Sequence, residues 1–97
     1  MIQVSRPIRA AHVKGAVFDL SGANIPGARI QVQIQGSEAL LVDINADENG
    51  RFKLPKLQPG VYWLGISSPG FNLHVWELRI VRFGGTENLS PKLTVGT

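Results

Sequence analysis

An all-β fold, a seven-stranded Greek-key β-sandwich, is what this sequence predicts, and three observations carry the prediction. The first is a two-residue alternation of apolar and polar side chains, clearest in ARIQVQIQ. There Ala28, Ile30, Val32 and Ile34 interleave with Arg29, Gln31, Gln33 and Gln35, the pattern of a strand with one dry face and one wet face. The second is turn chemistry. Eleven glycines and six prolines fall among 97 residues, several of them in Ser-Gly, Pro-Gly and Asn-Gly pairs that reverse the chain every ~8–15 residues. The third is negative: no long segment carries an i, i+3, i+4 apolar stripe between caps, so helix is expected to be nearly absent.

Taken in order, residues 1–11 show no sustained period and contain Pro7, and they are expected to form an N-terminal arm or linker ahead of a domain spanning 12–97. In HVKGAVFD, Val13, Gly15 and Val17 share one face, and DLSGANIPGA turns the chain into ARIQVQIQ. ALLVDIN follows, with Leu40, Val42 and Ile44 expected inward. In ADENG, Asn49-Gly50 supplies the positive φ of a tight hairpin. A short strand carries Phe52 and Leu54, and LPKLQPG connects it to VYWLGIS, with Tyr62, Leu64 and Ile66 inward and Val61, Trp63 and Gly65 opposite. SSPGF turns into a longer strand, 73–82, with Trp76, Leu78 and Ile80 on the inward parity. RFGGTEN reads as a further turn, and LSPKLTV as the closing strand.

Composition excludes several function classes. Cysteine is absent, which removes disulfide scaffolds, thiolate zinc sites and cysteine nucleophiles. The net charge is only +3 and the ten Lys and Arg are scattered, so no basic stripe points to nucleic acid. MIQVSRPIRAAHV lacks the apolar core of a signal peptide, and no window approaches the ~18 apolar residues of a membrane span. No cofactor, no metal, no nucleic-acid partner and no membrane insertion are expected.

Three segments, in order and at matching separations, resemble a known family. VKGAVFDLSGANIPGARIQV (13–32) looks like the opening of a carboxypeptidase regulatory-like domain of the transthyretin-like, or prealbumin-like, group. ADENGRFKLPKLQPGVYWLGIS (46–67) is similar to the family's turn–Gly–Phe and Pro-Gly–Tyr steps, and SPGF (68–71) precedes a longer strand. The residues have physical jobs within that pattern. Gly15 permits close approach of another element, Gly50 takes the left-handed conformation, and Tyr62 is expected to send its hydroxyl to a backbone partner.

The same resemblance raises two chemistries. Relatives in the transthyretin group hydrolyse 5-hydroxyisourate with a His and Arg cluster in the first strand and a Tyr-Arg-Gly-Ser tail. Here His12 and Lys14 stand in the first strand and the chain ends KLTVGT, so the tail is missing. Similar folds in collagen-adhesin B-type domains form a Lys–Asn or Lys–Asp isopeptide bond beside a buried acid. Lys14 sits like the bonding lysine, but the strand of Leu64 and Ile66 holds no acid and PKLTVG holds no Asn or Asp. His12 and His74, the two histidines, lie in no nucleophile–base–orienter pattern. Asp43, Asp47, Glu48 and Asn49 cluster at one turn as calcium ligands do, but without the spacing of an EF-hand loop.

What remains is a binding patch. Trp63, beside Val61 and Val81, lies off the core face: either the arm 1–11 or a loop covers it, or it stands in an outward apolar patch of the kind that marks contact with a partner. The expected function is a non-catalytic structural or interaction module, an accessory domain of a larger secreted, periplasmic or cell-envelope protein. Its partner would be a neighbouring domain or protein, and the chain would be a monomer or weak dimer. The alternative is a carbohydrate-binding module with Trp63 as the platform.

Overall fold

The computed structural model describes residues 2–96, with side chains from Arg6 onward. The described residues form ten strands: β1 (Ile2–Ala10), β2 (His12–Ala16), β3 (Phe18–Asp19), β4 (Arg29–Ile34) and β5 (Leu40–Asn45), then β6 (Arg51–Lys53), β7 (Gly60–Ser67), β8 (Leu73–Ile80), β9 (Thr86–Leu89) and β10 (Lys92–Leu93). No helix occurs among the described residues. One sheet has five strands in the order β1-β8-β7-β4-β5; the other layer has β6-β2-β9 and the short pair β10-β3. Between them lies a core in which, among the described residues, every buried side chain is apolar or aromatic. The all-β sandwich read from the alternation is therefore the observed fold.

The strand count rises from seven to ten for local reasons. The first expected strand is broken at Val17, whose N–H donates to the Gly50 carbonyl and whose carbonyl accepts from Ile25, so β2 and β3 pair with different partners. The expected RFGGTEN turn is shorter than it looked: Thr86–Leu89 is a strand, parallel to β2 with Lys14 opposite Asn88. The segment expected as an arm contains β1, which runs parallel to β8 and buries Ile8 and Ala10 against the core. Its register shifts between Ser5 and Ile8, across Pro7. Proline cannot donate to a ladder, and the shift resets the face each residue takes, which hides the period in the sequence.

Leu40 corrects a second expectation. A bulge between Val32 and Gln33 pairs Val32 with Val42 but Gln33 with Leu40, leaving Leu41 as the extra residue. One extra residue flips the alternation beyond it. Val42 stays buried, whereas Leu40 joins the outer face and is 47% exposed.

Where the chain must turn tightly, the residues match the need. Gly50 has φ 74°, and Asp47 caps the turn by accepting from the N–H groups of Asn49 at 2.8 Å and Arg51 at 2.9 Å. Gly15 faces Phe52 and β9. A Cβ there would collide with the Leu89 carbonyl and stand 3.0 Å from the Phe52 ring, so only glycine lets β6 and β9 pack this closely on either side of β2.

Candidate functional site

The outer face of the five-stranded sheet is built from alternate residues of its central strands. Tyr62, Leu64 and Ile66 of β7 point into the core and are buried. Val61, Trp63 and Gly65 therefore point outward, in register with Arg79, Glu77 and Val75 of β8. On the other side Trp63 lies opposite Gln33 and Gly65 opposite Gln31 of β4.

Trp63 is 38% exposed and stands in a depression of about 210 Å³ with Gln31, Gln33, Leu40, Leu73 and Val75. Gly65 opens this space: its missing side chain leaves room beside the indole, and a Cβ there would touch Leu73 Cδ1 at 3.4 Å. Gln33 donates its Nε2 to the Ser37 carbonyl, which holds that amide at the rim. The result is an aromatic and aliphatic floor with amide groups beside it. β1 pairs at the far edge of the sheet, so β8 lies between its backbone and the strand that carries Trp63.

Val61 and Val81, the other residues of the expected patch, line a different depression of about 630 Å³ at the β1–β8 end, with Arg9, Arg79 and Arg82. The sequence pattern gave no sign of this grouping because Arg9 lay in the presumed arm. Nor did it place Leu40 on the outer face, for which only the bulge could have given notice.

The chemistry-bearing residues are dispersed. His12 lies at the start of β2, while His74 lies on β8 in the other layer, stacked on Trp76 with ring centroids 4.1 Å apart. Burial pushes the His74 imidazole below its ordinary pKa. Lys14 is exposed on the outside of β2, in register with Lys53 and Asn88. Among the described residues no carboxylate lines the surface around it. Asp43 is held by Arg29 in a two-pronged ion pair of 2.8 and 2.9 Å, which also lowers its pKa. Asp47 is occupied in the turn. The acidic cluster of the sequence thus divides between a salt bridge and a hairpin cap.

Tyr62 shows how the site is braced. Its hydroxyl donates to the Gln58 carbonyl at 2.5 Å, tying the connection before β7 to the strand that presents Trp63. This is the backbone partner expected for that hydroxyl.

Comparison with solved structures places the fold among prealbumin-like sandwiches. The chain is similar to part of the Bacillus anthracis TIE protein (TM-score 0.70, 20% identity), covering 87% of this chain and 17% of that one. It is similar to Klebsiella pneumoniae 5-hydroxyisourate hydrolase (TM-score 0.67, 16% identity) over 90% of this chain and 92% of that one. A third likeness is to the group B streptococcus pilus 2b backbone protein (TM-score 0.66, 18% identity), covering 93% of this chain and 43% of that one. The chain thus spans less than half the length of two of these three structures. A search of curated proteins finds no match. The profile of the carboxypeptidase regulatory-like domain matches residues 12–94, nearly all of the sandwich, and the chain belongs to that family.

Proposed function

We propose that this chain is a non-catalytic structural and interaction module, an accessory domain of a larger secreted or cell-envelope protein. The outer face around Trp63 is its contact surface, with Val61 and Val81 at the adjoining end. The observation that carries this reading is the contrast between a closed apolar core and a tryptophan left on the opposite face beside Leu40, Leu73 and Val75. An aromatic side chain so placed exposes apolar area that a folded chain usually reserves for a partner. The family assignment supports an accessory role. The likeness to a pilus backbone protein is a likeness of fold, and it is compatible with a spacer or docking module in a surface protein. Likeness to a hydrolase at 16% identity likewise speaks for the fold only.

The test is the reading frame on both sides of this segment. An export signal upstream together with a catalytic or adhesive neighbour is expected. An isolated frame that starts at Met1 and stops after Thr97 would overturn the accessory reading.

A second reading is favoured by one observation: Gln31 and Gln33 flank the indole in the same depression. A sugar ring stacks on an indole while amides meet its hydroxyls, which is the chemistry of a carbohydrate platform. Titration with a panel of soluble oligosaccharides, read by tryptophan fluorescence, separates the two. A shift that disappears in Trp63→Ala would make this a carbohydrate-binding module. A flat response across the panel would remove that reading and leave a protein neighbour.

A further inference from the structure

The β1–β8 end of the outer face is strongly basic, and this does not depend on Trp63. Arg9 and Arg79 are paired directly across the parallel strands β1 and β8, both exposed. Like charges placed opposite each other destabilise a sheet, so their pairing is not explained by folding. Arg82 follows β8, and the three arginines line the 630 Å³ depression whose apolar wall includes Val61 and Val81. A second depression of about 470 Å³ shares Pro59, Val81 and Arg82 and adds Lys56 and His12. No aspartate or glutamate among the described residues lines either one.

The acids are elsewhere. Asp19, Glu38, Asp43, Asp47 and Glu48 are five of the seven in the chain, and Asp43 sits on β5, the opposite edge of the sheet. Glu77 lies two residues from Arg79 but in register with Trp63, and Glu87 is in register with Val13 on β2. Among the described residues the ion pair is Arg29 with Asp43, at the β5 side. The three arginines are therefore free to serve an external anion. Two further features lie beside them. β1 is an edge strand, with no partner on its outer side within the five-stranded sheet among the described residues. Phe83, next to Arg82 in the loop before β9, is 88% exposed.

We propose that this groove docks an acidic peptide segment of a partner protein, its carboxylates held by Arg9, Arg79 and Arg82 and its aliphatic side chains laid against Val61 and Val81. Guanidinium groups meet carboxylates through two parallel hydrogen bonds. The aliphatic wall suits a peptide that alternates acidic and apolar residues. The free edge of β1 offers the backbone pairing by which extended peptides add to sheets. A single-stranded nucleic acid would instead call for a series of stacking aromatics along a phosphate track, whereas one exposed aromatic, Phe83, stands beside the arginines among the described residues.

The test uses the whole 97-residue chain and a fluorescein-labelled (Glu-Val)4 peptide followed by anisotropy. Binding is expected, weakening as salt rises from about 50 to 300 mM through screening. The double substitution Arg9→Gln with Arg79→Gln weakens it by about tenfold or more, as loss of charge-assisted pairs does. Lys14→Gln with Lys53→Gln, on the other layer, leaves it unchanged. Relief of the Arg9–Arg79 repulsion keeps the Tm of the first variant at or above that of the parent chain, so loss of binding is not loss of fold. Equal binding of (Gln-Val)4, equal weakening by the Lys14 and Lys53 substitutions, or tighter binding of an oligothymidylate would each overturn the proposal.

Discussion

The two faces of β7 make the most informative comparison in the molecule. Eight consecutive residues, Gly60–Ser67, supply three of the buried core side chains, Tyr62, Leu64 and Ile66, and on alternate positions the exposed Trp63 between Val61 and Gly65. Inward, the chemistry is uniform: aliphatic and aromatic groups are packed together, with no charged side chain among the described buried residues. Outward it is mixed, with an indole, two glutamines and leucines sharing one depression. The inner face answers to packing, where each methylene counts. The outer face is under no such demand, and what it displays is open to recognition.

That division can be broken by substitution. The largest effect is expected inside: Leu64→Ala removes a fully buried side chain and should cost about 2–5 kcal/mol in chemical denaturation. Next is Tyr62→Phe, which leaves the Gln58 carbonyl without its hydroxyl donor and should cost about 1 kcal/mol. Trp63→Ala, one position from Leu64 but on the other face, should change stability by about 1 kcal/mol or less, as surface substitutions do, while abolishing whatever binds in the depression around Trp63. A Trp63→Ala chain that unfolds as readily as Leu64→Ala would erase the distinction between the faces.

The smallest effect sharpens the comparison at the end of the core. Burial holds the folded His74 imidazole below the ordinary histidine value of 6.5, so the unfolded chain takes up a proton first as pH falls. His74 should therefore favour folding fully at neutral pH, and that share should be lost as pH drops below 6.5 toward the folded value. His74→Phe, which keeps a ring over Trp76, should flatten the dependence of Tm on pH in that window. An unchanged slope would mean that His74 titrates as freely in the folded chain as in the unfolded one.

How far the sequence alone reached follows from the same physics. ARIQVQIQ and VYWLGIS were legible because their alternation is unbroken, and Gly50 and Gly15 because a turn and a close approach admit few other residues. β1 was not legible, since the register shift across Pro7 breaks its period. Leu40 was assigned to the wrong face because a bulge changes parity without any local residue signal. The outward position of Trp63 followed from counting along the strand. Its neighbours Leu40, Leu73 and Val75 did not, because they come from other strands whose order in the sheet no local pattern fixes. The arginine groove was hidden for the same reason: Arg9 and Arg79 are far apart in the chain and meet only through the parallel pairing of β1 with β8.

The most direct test of the central claim, that the Trp63 face is a contact surface and not merely an exterior, is acrylamide quenching of Trp63. Its contribution is isolated as the difference between the parent and Trp63→Phe chains, measured for the 97-residue chain alone and within the full product of its reading frame. The account predicts ready quenching in the isolated chain and clear protection in the larger product, where a neighbour covers the face. Equal quenching in both, with no protection on adding a partner or a glycan, would contradict it.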